Sequence, residues 1–261
     1  MAHPIILAHG IARFDVLIAK SKYWSDIPDI LKSKQYKVHQ TNVDWAGSVA
    51  KRAKEFANQV RKLISDNNYE KVSVIAHSSG GLDVRYAIVK NGLAPSVASL
   101  TTLCTPHHGS SFADWAFEEG VADRIIPIFE GLGIDMDGFK DLKTDVCKAR
   151  NKELEKFEEK NEHNIRYQTY AGVQGMWDVF WPLLPSYRII KEREGFNDGL
   201  ASVNSAKWKD KYFKGVSDWD HLNFLGWWEL AELDLFGGGR TEKAFKKEIR
   251  DFYLSLAQGL P

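Results

Sequence analysis

Residues 70–86 read EKVSVIAHSSGGLDVRY, and no other stretch restricts the fold as much. The run Val72, Ser73, Val74, Ile75, Ala76 is β-branched and apolar between a charged flank and glycines, which predicts a short, buried, parallel strand. His77-Ser78-Ser79-Gly80-Gly81 must end it, and from Leu82 the positions Leu82, Tyr86 and Val89 recur at helical spacing. A strand, a sharp turn and a helix in so few residues place a serine at the tip in a strained backbone. Small residues two places to either side then let strand and helix approach. Ala76 and Gly80 do this for Ser78, giving the pattern G-x-S-x-G with alanine in the first glycine position. Were Ser79 at the tip, His77 would stand where a small residue is required, so Ser78 is the expected nucleophile. The competing reading is a plain Ser/Gly loop, and the strand before and helix after weigh against it.

The same alternation continues along the chain. Residues 4–8 read as a first buried strand ended by His9-Gly10-Ile11, 26–35 as the returning helix and 38–43 as a strand. Ser48 is placed to cap a long helix whose apolar positions Val49, Ala53, Phe56, Val60 and Leu63 step by four and three. After the 70–86 unit comes a strand over 99–104, then Thr105-Pro106-His107-His108-Gly109-Ser110. Strands alternating with helices imply a mostly parallel, doubly wound sheet with helices on both faces, an α/β fold. The next strand-like run, 165–171, is about sixty residues away, far beyond an ordinary connection. Three expected helices fill the gap, over 112–118, 123–129 and 139–160, separated by Gly131, Gly133 and Gly138. They predict a small helical cap, about 111–161, over the sheet's carboxyl edge, within one domain of 1–261. Peripheral helices are the alternative.

Residues 175–187, GMWDVFWPLLPSY, are apolar and broken by proline, which predicts neither regular helix nor strand. Trp177, Phe180, Trp181, Leu183 and Leu184 would plug the core, line an acyl groove or present a lipid-facing patch. Residues 187–191 read as the penultimate strand, and 243–257 as a last helix burying Phe245, Ile249, Phe252 and Leu256.

A serine hydroxyl needs a histidine to take its proton, and the histidine needs a carboxylate to fix its tautomer. Turns of this kind carry the three in the order Ser, acid, His. Of the eight histidines only His163 and His221 lie late enough. His163 precedes a strand, at the wrong edge of the sheet, whereas His221 follows the final strand, so His221 is the expected base. Asp198, in the Asn197-Asp198-Gly199 turn, is the expected acid, with Asp218 as the alternative. Asp220 is adjacent to His221, and neighbouring side chains in an extended segment point apart. The oxyanion of acyl transfer would take backbone N–H groups from Ser79 and Ile11. His9, His77, His107 and His108 gather near this edge without an acidic ligand pair, so backbone hydrogen bonds are expected for them and no metal is assigned.

Charge and composition exclude other classes. Lys plus Arg and Asp plus Glu both number 35, which leaves no basic field for nucleic acid. Cys104 and Cys147 are too few for a disulfide framework or a metal motif, although one bridge between them is open. No apolar run is long enough to be a transmembrane segment, and the expectation is a soluble mature chain. The residues before His9 are too few for a signal peptide, so either a cytoplasmic start or a secreted enzyme with its leader replaced by Met1 is compatible.

The motifs HGIARFD, VSVIAHSSGGLDVRY, VASLTTLCTPHHGSSFADW, IIKEREGFNDGLASVNSAKW and WDHLNFLGW, in this order, resemble the motif series of triacylglycerol lipases, the bacterial true lipases and their fungal intracellular relatives. The resemblance spans residues 4–257 and is weakest over 120–160. It implies an α/β-hydrolase fold and a carboxylic-ester hydrolase with Ser78, Asp198 and His221 as triad and Ile11 and Ser79 as oxyanion donors. It also implies a lipid or small ester substrate and a lipid–water interface as a partner surface; the apolar stretch 175–187 offers Trp177, Phe180 and Trp181, and the cap's apolar face Leu132 and Phe139, as candidates to bind substrate. An esterase, thioesterase or polyester hydrolase is the alternative, and a catalytically silent binding protein the reading from another class. Relatives with a structural calcium carry an acidic residue two places after the triad histidine. Here that residue is Asn223, which argues against calcium, and only His39 lies where zinc-binding relatives carry a histidine pair. No cofactor is expected.

Overall fold

The structure, a computed structural model, describes residues 3–11, 22–118, 136–228 and 241–261. The expected helix over 123–129, the glycines at 131 and 133, and Leu132 lie outside the described residues.

Strands β1 (Ile5–Ala8), β2 (Val38–Gln40), β3 (Val72–His77), β4 (Val97–Leu103), β5 (Arg166–Gly172) and β6 (Phe213–Ser217) form one sheet in the order β2-β1-β3-β4-β5-β6. Every pairing among them is parallel. The chain steps outward from β1 to β2, then crosses back to lay β3 on the other side of β1. In open α/β sheets the crevice at such a reversal, beyond the strands' carboxyl ends, is where ligands bind. The residues that leave β1 and β3 there are His9-Gly10-Ile11 and Ser78.

Successive side chains of a strand face opposite ways, and the core divides accordingly. Ile6, Ala8, Val74, Ala76 and Leu100 meet α2 (Val49–Asn67) and α3 (Gly80–Lys90) through Ala53, Phe56, Val60, Val84 and Ile88. Ile5, Leu7, Ile75 and Leu103 meet α1 (Ile27–Lys32) and the final helix through Ile27, Leu31, Phe245, Ile249 and Tyr253. Ser48 caps α2 as expected, its side chain accepting from the Lys51 N–H. The final helix, Glu242–Gln258, has Phe252 half-buried and Tyr253 fully buried, so the inward stripe is rotated slightly from the expected one.

Three expectations are corrected. Residues 187–191 are not a strand but part of helix Leu184–Arg193, with a proline in its first turn and Ser186, Tyr187 and Ile190 buried. Proline in the first turn costs no hydrogen bond and presets φ, so it starts this helix rather than breaking it. The stretch 175–187, expected to be irregular throughout, therefore ends in regular helix. The span 139–160 is two helices, Met136–Lys140 and Thr144–Asn161. The Asp141 carboxylate, between them, accepts from the Val49 N–H at the start of α2 (2.7 Å) and pairs with Arg150 (2.7 Å). Gly138 passes so near the Ala46 carbonyl that a Cβ would sit 2.5 Å from it.

Cys104 and Cys147 are both buried and free. Thr144–Asn161 is locked to α3 by Arg85. This fully buried guanidinium pairs with both Glu158 oxygens (2.8 and 2.9 Å), donates to Asn151 Oδ1 (2.9 Å), and lies 4.0 Å from the Trp208 ring centre. Removing one partner of such a pair strands a charge in a low dielectric, at about 3–5 kcal/mol. Glu158→Gln is therefore expected to lower the unfolding free energy by about 3 kcal/mol, read as a fall in the urea midpoint.

Candidate active site

Ser78 sits at φ +57°, the left-handed backbone expected for a serine at the tip of the turn. Its N–H continues the ladder to the Leu103 carbonyl (2.9 Å), and its own carbonyl accepts from the Thr105 hydroxyl (2.6 Å). The neighbours are glycines because nothing larger fits. A Cβ on Gly10 would lie 2.6 Å from Ser78 Cβ, one on Gly80 2.6 Å from the His9 carbonyl oxygen, and one on Gly81 2.2 Å from Thr105 Oγ1. The loop after β1 is thus pressed directly onto the serine turn.

His221 lies in the loop after β6, and its Nδ1 is 2.8 Å from Asp198 Oδ2, with both side chains almost fully buried. The main chain joins them again, the His221 N–H donating to the Asp198 carbonyl (2.8 Å). Asp198 Oδ1 is held by the N–H groups of Leu200 and Ala201 (2.8 and 2.7 Å). With Nδ1–H given to the carboxylate, Nε2 is the free base, and it is buried without a hydrogen-bond partner. A buried nitrogen so left is costly unless a reacting proton is its partner. Asp198 therefore follows a helix and not a strand, yet its turn places it as the sequence order requires.

The competing acids are elsewhere. Asp220 accepts from the N–H groups of Phe180, Leu222 and Asn223 (2.9, 2.8 and 2.8 Å) and so shapes the His221 loop. Burial drives its pKa up, against those three donors. Asp218 is at the surface, and His163 is exposed in the turn before β5.

The rings of the four histidines of this edge are all hydrogen-bonded, His9 and His108 to backbone groups as expected, His77 to one backbone and one side-chain group, and His107 to side chains alone. His9 Nδ1 is 2.8 Å from the Gly10 carbonyl, and its Nε2 accepts from the Val43 N–H (3.2 Å). His77 bridges Tyr23 and the His221 carbonyl. His107 meets Thr102 and Arg85, and His108 the Trp208 carbonyl. Among the described residues, the His/Cys/Asp/Glu group whose ligand atoms lie within 4.8 Å of one another is Cys104, Asp198 and His221. Two of these are the expected acid and base.

The Ile11 N–H donates to Ser79 Oγ at 2.8 Å, so the Ser79 side chain holds one of the expected oxyanion donors. Of the expected substrate residues, Phe180 and Phe139 belong to the apolar cluster that also holds Ile11, Leu103 and Cys104, while Trp177 and Trp181 are 84% and 66% exposed. Leu132 is outside the described residues.

Several residues of the site were missed by sequence reasoning. The Cys104 thiol lies against Asp198 in a left-handed backbone (φ +53°), and burial first, then the Asp198 charge, raises its pKa well above the ordinary value. Arg52, fully buried, donates to Asp83 and to the His9 carbonyl (both 2.8 Å), fixing the β1 loop from below. The Tyr23 hydroxyl accepts from the Gly10 N–H and is hydrogen-bonded to His77 Nδ1. An arginine on the apolar stripe of a capped helix, at position 52, was the readable clue.

The fold and site define the class, an α/β-hydrolase with a serine turn and an acid–histidine pair. The chain matches, over residues 2–122, the family described as "Putative serine esterase (DUF676)". It is 32% identical over 257 residues to triacylglycerol lipase 2 of Saccharomyces cerevisiae, covering 92% of this chain and 73% of that protein. It is 37% identical over 117 residues to a triacylglycerol lipase of Pseudarthrobacter phenanthrenivorans, covering 43% of this chain and 36% of that protein. Its fold is similar to a metagenomic carboxyl esterase (TM-score 0.75, 17% identity, 98% of this chain and 76% of that one) and to Staphylococcus hyicus lipase (TM-score 0.70, 18% identity, 98% and 96%). The chain belongs to the triacylglycerol lipase family.

Burial holds His9 down at about pKa 3, and His77 and His107 well below 6.5, with neighbouring Arg52, His221 and Arg85 acting in the same direction. Their folded pKa values lie below the unfolded ones, so below about pH 6.5 the unfolded chain binds protons that the native chain refuses. Their stabilisation is complete above that pH and fades as pH falls, by at most about 1.4 kcal/mol per unit for each. Asp83 and Asp220, raised to about 6 and about 7 mainly by burial, act in the opposite direction as pH falls and offset two of the three, leaving a net loss of about one proton's worth. The urea midpoint is expected to fall steadily from about pH 6.5 to about pH 5. A flat midpoint would show that the three imidazoles are not held neutral.

Proposed function

We propose that this chain is a serine carboxylic-ester hydrolase that acts on acylglycerols or similar lipophilic esters through an acyl-enzyme on Ser78. The observation that carries this is the buried Asp198–His221 pair at 2.8 Å with Nε2 left without a partner. Nε2 takes the Ser78 proton as Oγ attacks the ester carbonyl, and Asp198 stabilises the imidazolium that forms. The N–H groups of Ser79 and Ile11 receive the oxyanion. His221 then protonates the departing alcohol, and a water repeats the sequence to release the acid. The apolar cluster joining Ile11 with Phe112, Ala116 and Phe139 supports reading 111–161 as a cap over the site. The exposed indoles of Trp177 and Trp181 support contact with a lipid–water interface. Among the described residues no helix is long and apolar enough to cross a membrane.

A fluorophosphonate is expected to label the wild-type chain, and Ser78→Ala to lose both label and turnover, by about 10,000-fold or more with the fold intact. Ser79→Ala keeps its N–H and loses only the hydroxyl bond to Ile11, so it is expected to cost less than about tenfold. Reversed behaviour of the two variants would shift the nucleophile by one residue. An unlabelled, folded wild type would remove the enzyme reading, and hydrolysis confined to short acyl chains would make the chain an esterase.

No structural calcium is part of this proposal. Asn223 Oδ1 accepts from the Asp220 N–H, and Nδ2 donates to the Trp227 carbonyl (both 2.9 Å), so the amide closes its own loop and supplies no carboxylate to a hard cation. The melting temperature is expected to be the same with and without a chelator, and a large drop on chelation would show a site rebuilt from other residues.

A further inference from the structure

His77 precedes the proposed nucleophile, its side chain is buried, and the reaction as described gives it no task. Its ring spans two segments far apart in sequence. Nε2 is 2.9 Å from the His221 carbonyl oxygen, and Nδ1 is 2.7 Å from the Tyr23 hydroxyl, which in turn accepts from the Gly10 N–H at 3.0 Å. A carbonyl oxygen can only accept, so Nε2 carries the proton. The ring being neutral, Nδ1 is an acceptor and takes the tyrosine proton, which leaves the phenol oxygen to accept from Gly10. All donors point one way along the chain Gly10, Tyr23, His77, and each atom is satisfied in a single tautomer.

We infer that His77 and Tyr23 are positioning residues, a hydrogen-bonded strut that sets the main chain of the catalytic histidine and the loop carrying the Ile11 oxyanion donor as one unit about Ser78. At one end, the His221 main chain is held on both sides, its N–H by the Asp198 carbonyl and its C=O by His77. At the other, the Gly10 N–H is fixed one residue before Ile11. The two rings His77 and His221 also touch, with centres 4.6 Å apart. Catalysis of this kind loses about a hundredfold from a displacement near 1 Å, so a strut across both parts sets the rate and not the affinity.

The inference rests on the triad proposed above, and the test separates the two. Active sites of wild type, Tyr23→Phe, His77→Leu and His77→Gln are titrated with a fluorophosphonate, and kcat and KM for a short soluble ester are then expressed per titrated site. Tyr23→Phe removes one oxygen and adds no volume. It is expected to lower kcat per site about tenfold with KM within about twofold. His77→Leu breaks both arms and is expected to cost about a hundredfold. His77→Gln regains a donor toward the His221 carbonyl and is expected to recover to about the level of Tyr23→Phe. A purely structural role would reduce the number of titratable sites and leave turnover per site at the wild-type value, and that result overturns the strut. Should His77→Leu not fold, Tyr23→Phe alone decides by the same criterion. A wild type that takes no label removes the triad reading itself, whereas a labelled wild type with unchanged variants removes only the strut.

Discussion

The left-handed turn at Ser78 is the constraint on which the rest of the molecule depends. An L-residue held there costs roughly 1–2 kcal/mol, because Cβ crowds the following carbonyl. The strain persists because everything around it fits closely. β1 and β4 flank β3, the Ser78 N–H is tied to Leu103, and the loop after β1 lies so near that Gly10 and Gly80 admit no side chain. Relaxing the turn would break the contacts of two neighbouring strands at once. The reversal of strand order between β1 and β3 is what brings those two loops face to face.

Electrostatics divide along the sheet. On the side of α2 and α3 buried charges are held in ion pairs, Arg52 with Asp83 and Arg85 with Glu158, each with further hydrogen bonds. Those pairs reach into the site only as donors, to the His9 carbonyl and to His107. At the carboxyl edge the same burial acts on imidazoles that have no carboxylate partner, and it keeps them neutral. A neutral ring with one fixed tautomer offers one donor and one acceptor, which suits it to joining two backbone segments. A cation there would reverse the Nδ1 role and break the chain through Tyr23.

What the sequence made legible followed from local signals. β-branched runs marked β1, β3 and β4, a serine cap and a 3.6 period marked α2, and a glycine-flanked serine marked the turn. Residues 187–191 misled because Tyr187, Ile189 and Ile190 favour strands. The proline two places earlier, together with burial of Ser186, Tyr187 and Ile190, decides for helix. The pairing of Asp198 with His221 is present nonetheless, since the Asn-Asp-Gly turn places the carboxylate whatever precedes it. Tyr23 and Cys104 were not legible for the opposite reason, and Arg52 showed only as a charge on an apolar stripe, without its partners. Each acts through a partner 30 or more residues away, and no spacing along the chain encodes such a contact.

The bond from the Ile11 N–H to Ser79 Oγ bears on how the proposed oxyanion donors work. A donor waiting in a buried site for a transient charge must be satisfied when the site is empty, or it costs about 1–3 kcal/mol. A hydroxyl one residue from the nucleophile supplies that partner. It is a neutral acceptor, and an ester carbonyl is no better, so substrate binding alone gives little reason for the N–H to turn. The oxyanion does, because a bond to an ionised acceptor is about twice as strong as a neutral one. The exchange is then favoured only as charge develops, so the interaction is spent on the transition state and not on the bound substrate. In the proposed reaction Ser79 thereby takes part through its side chain as well as through its backbone.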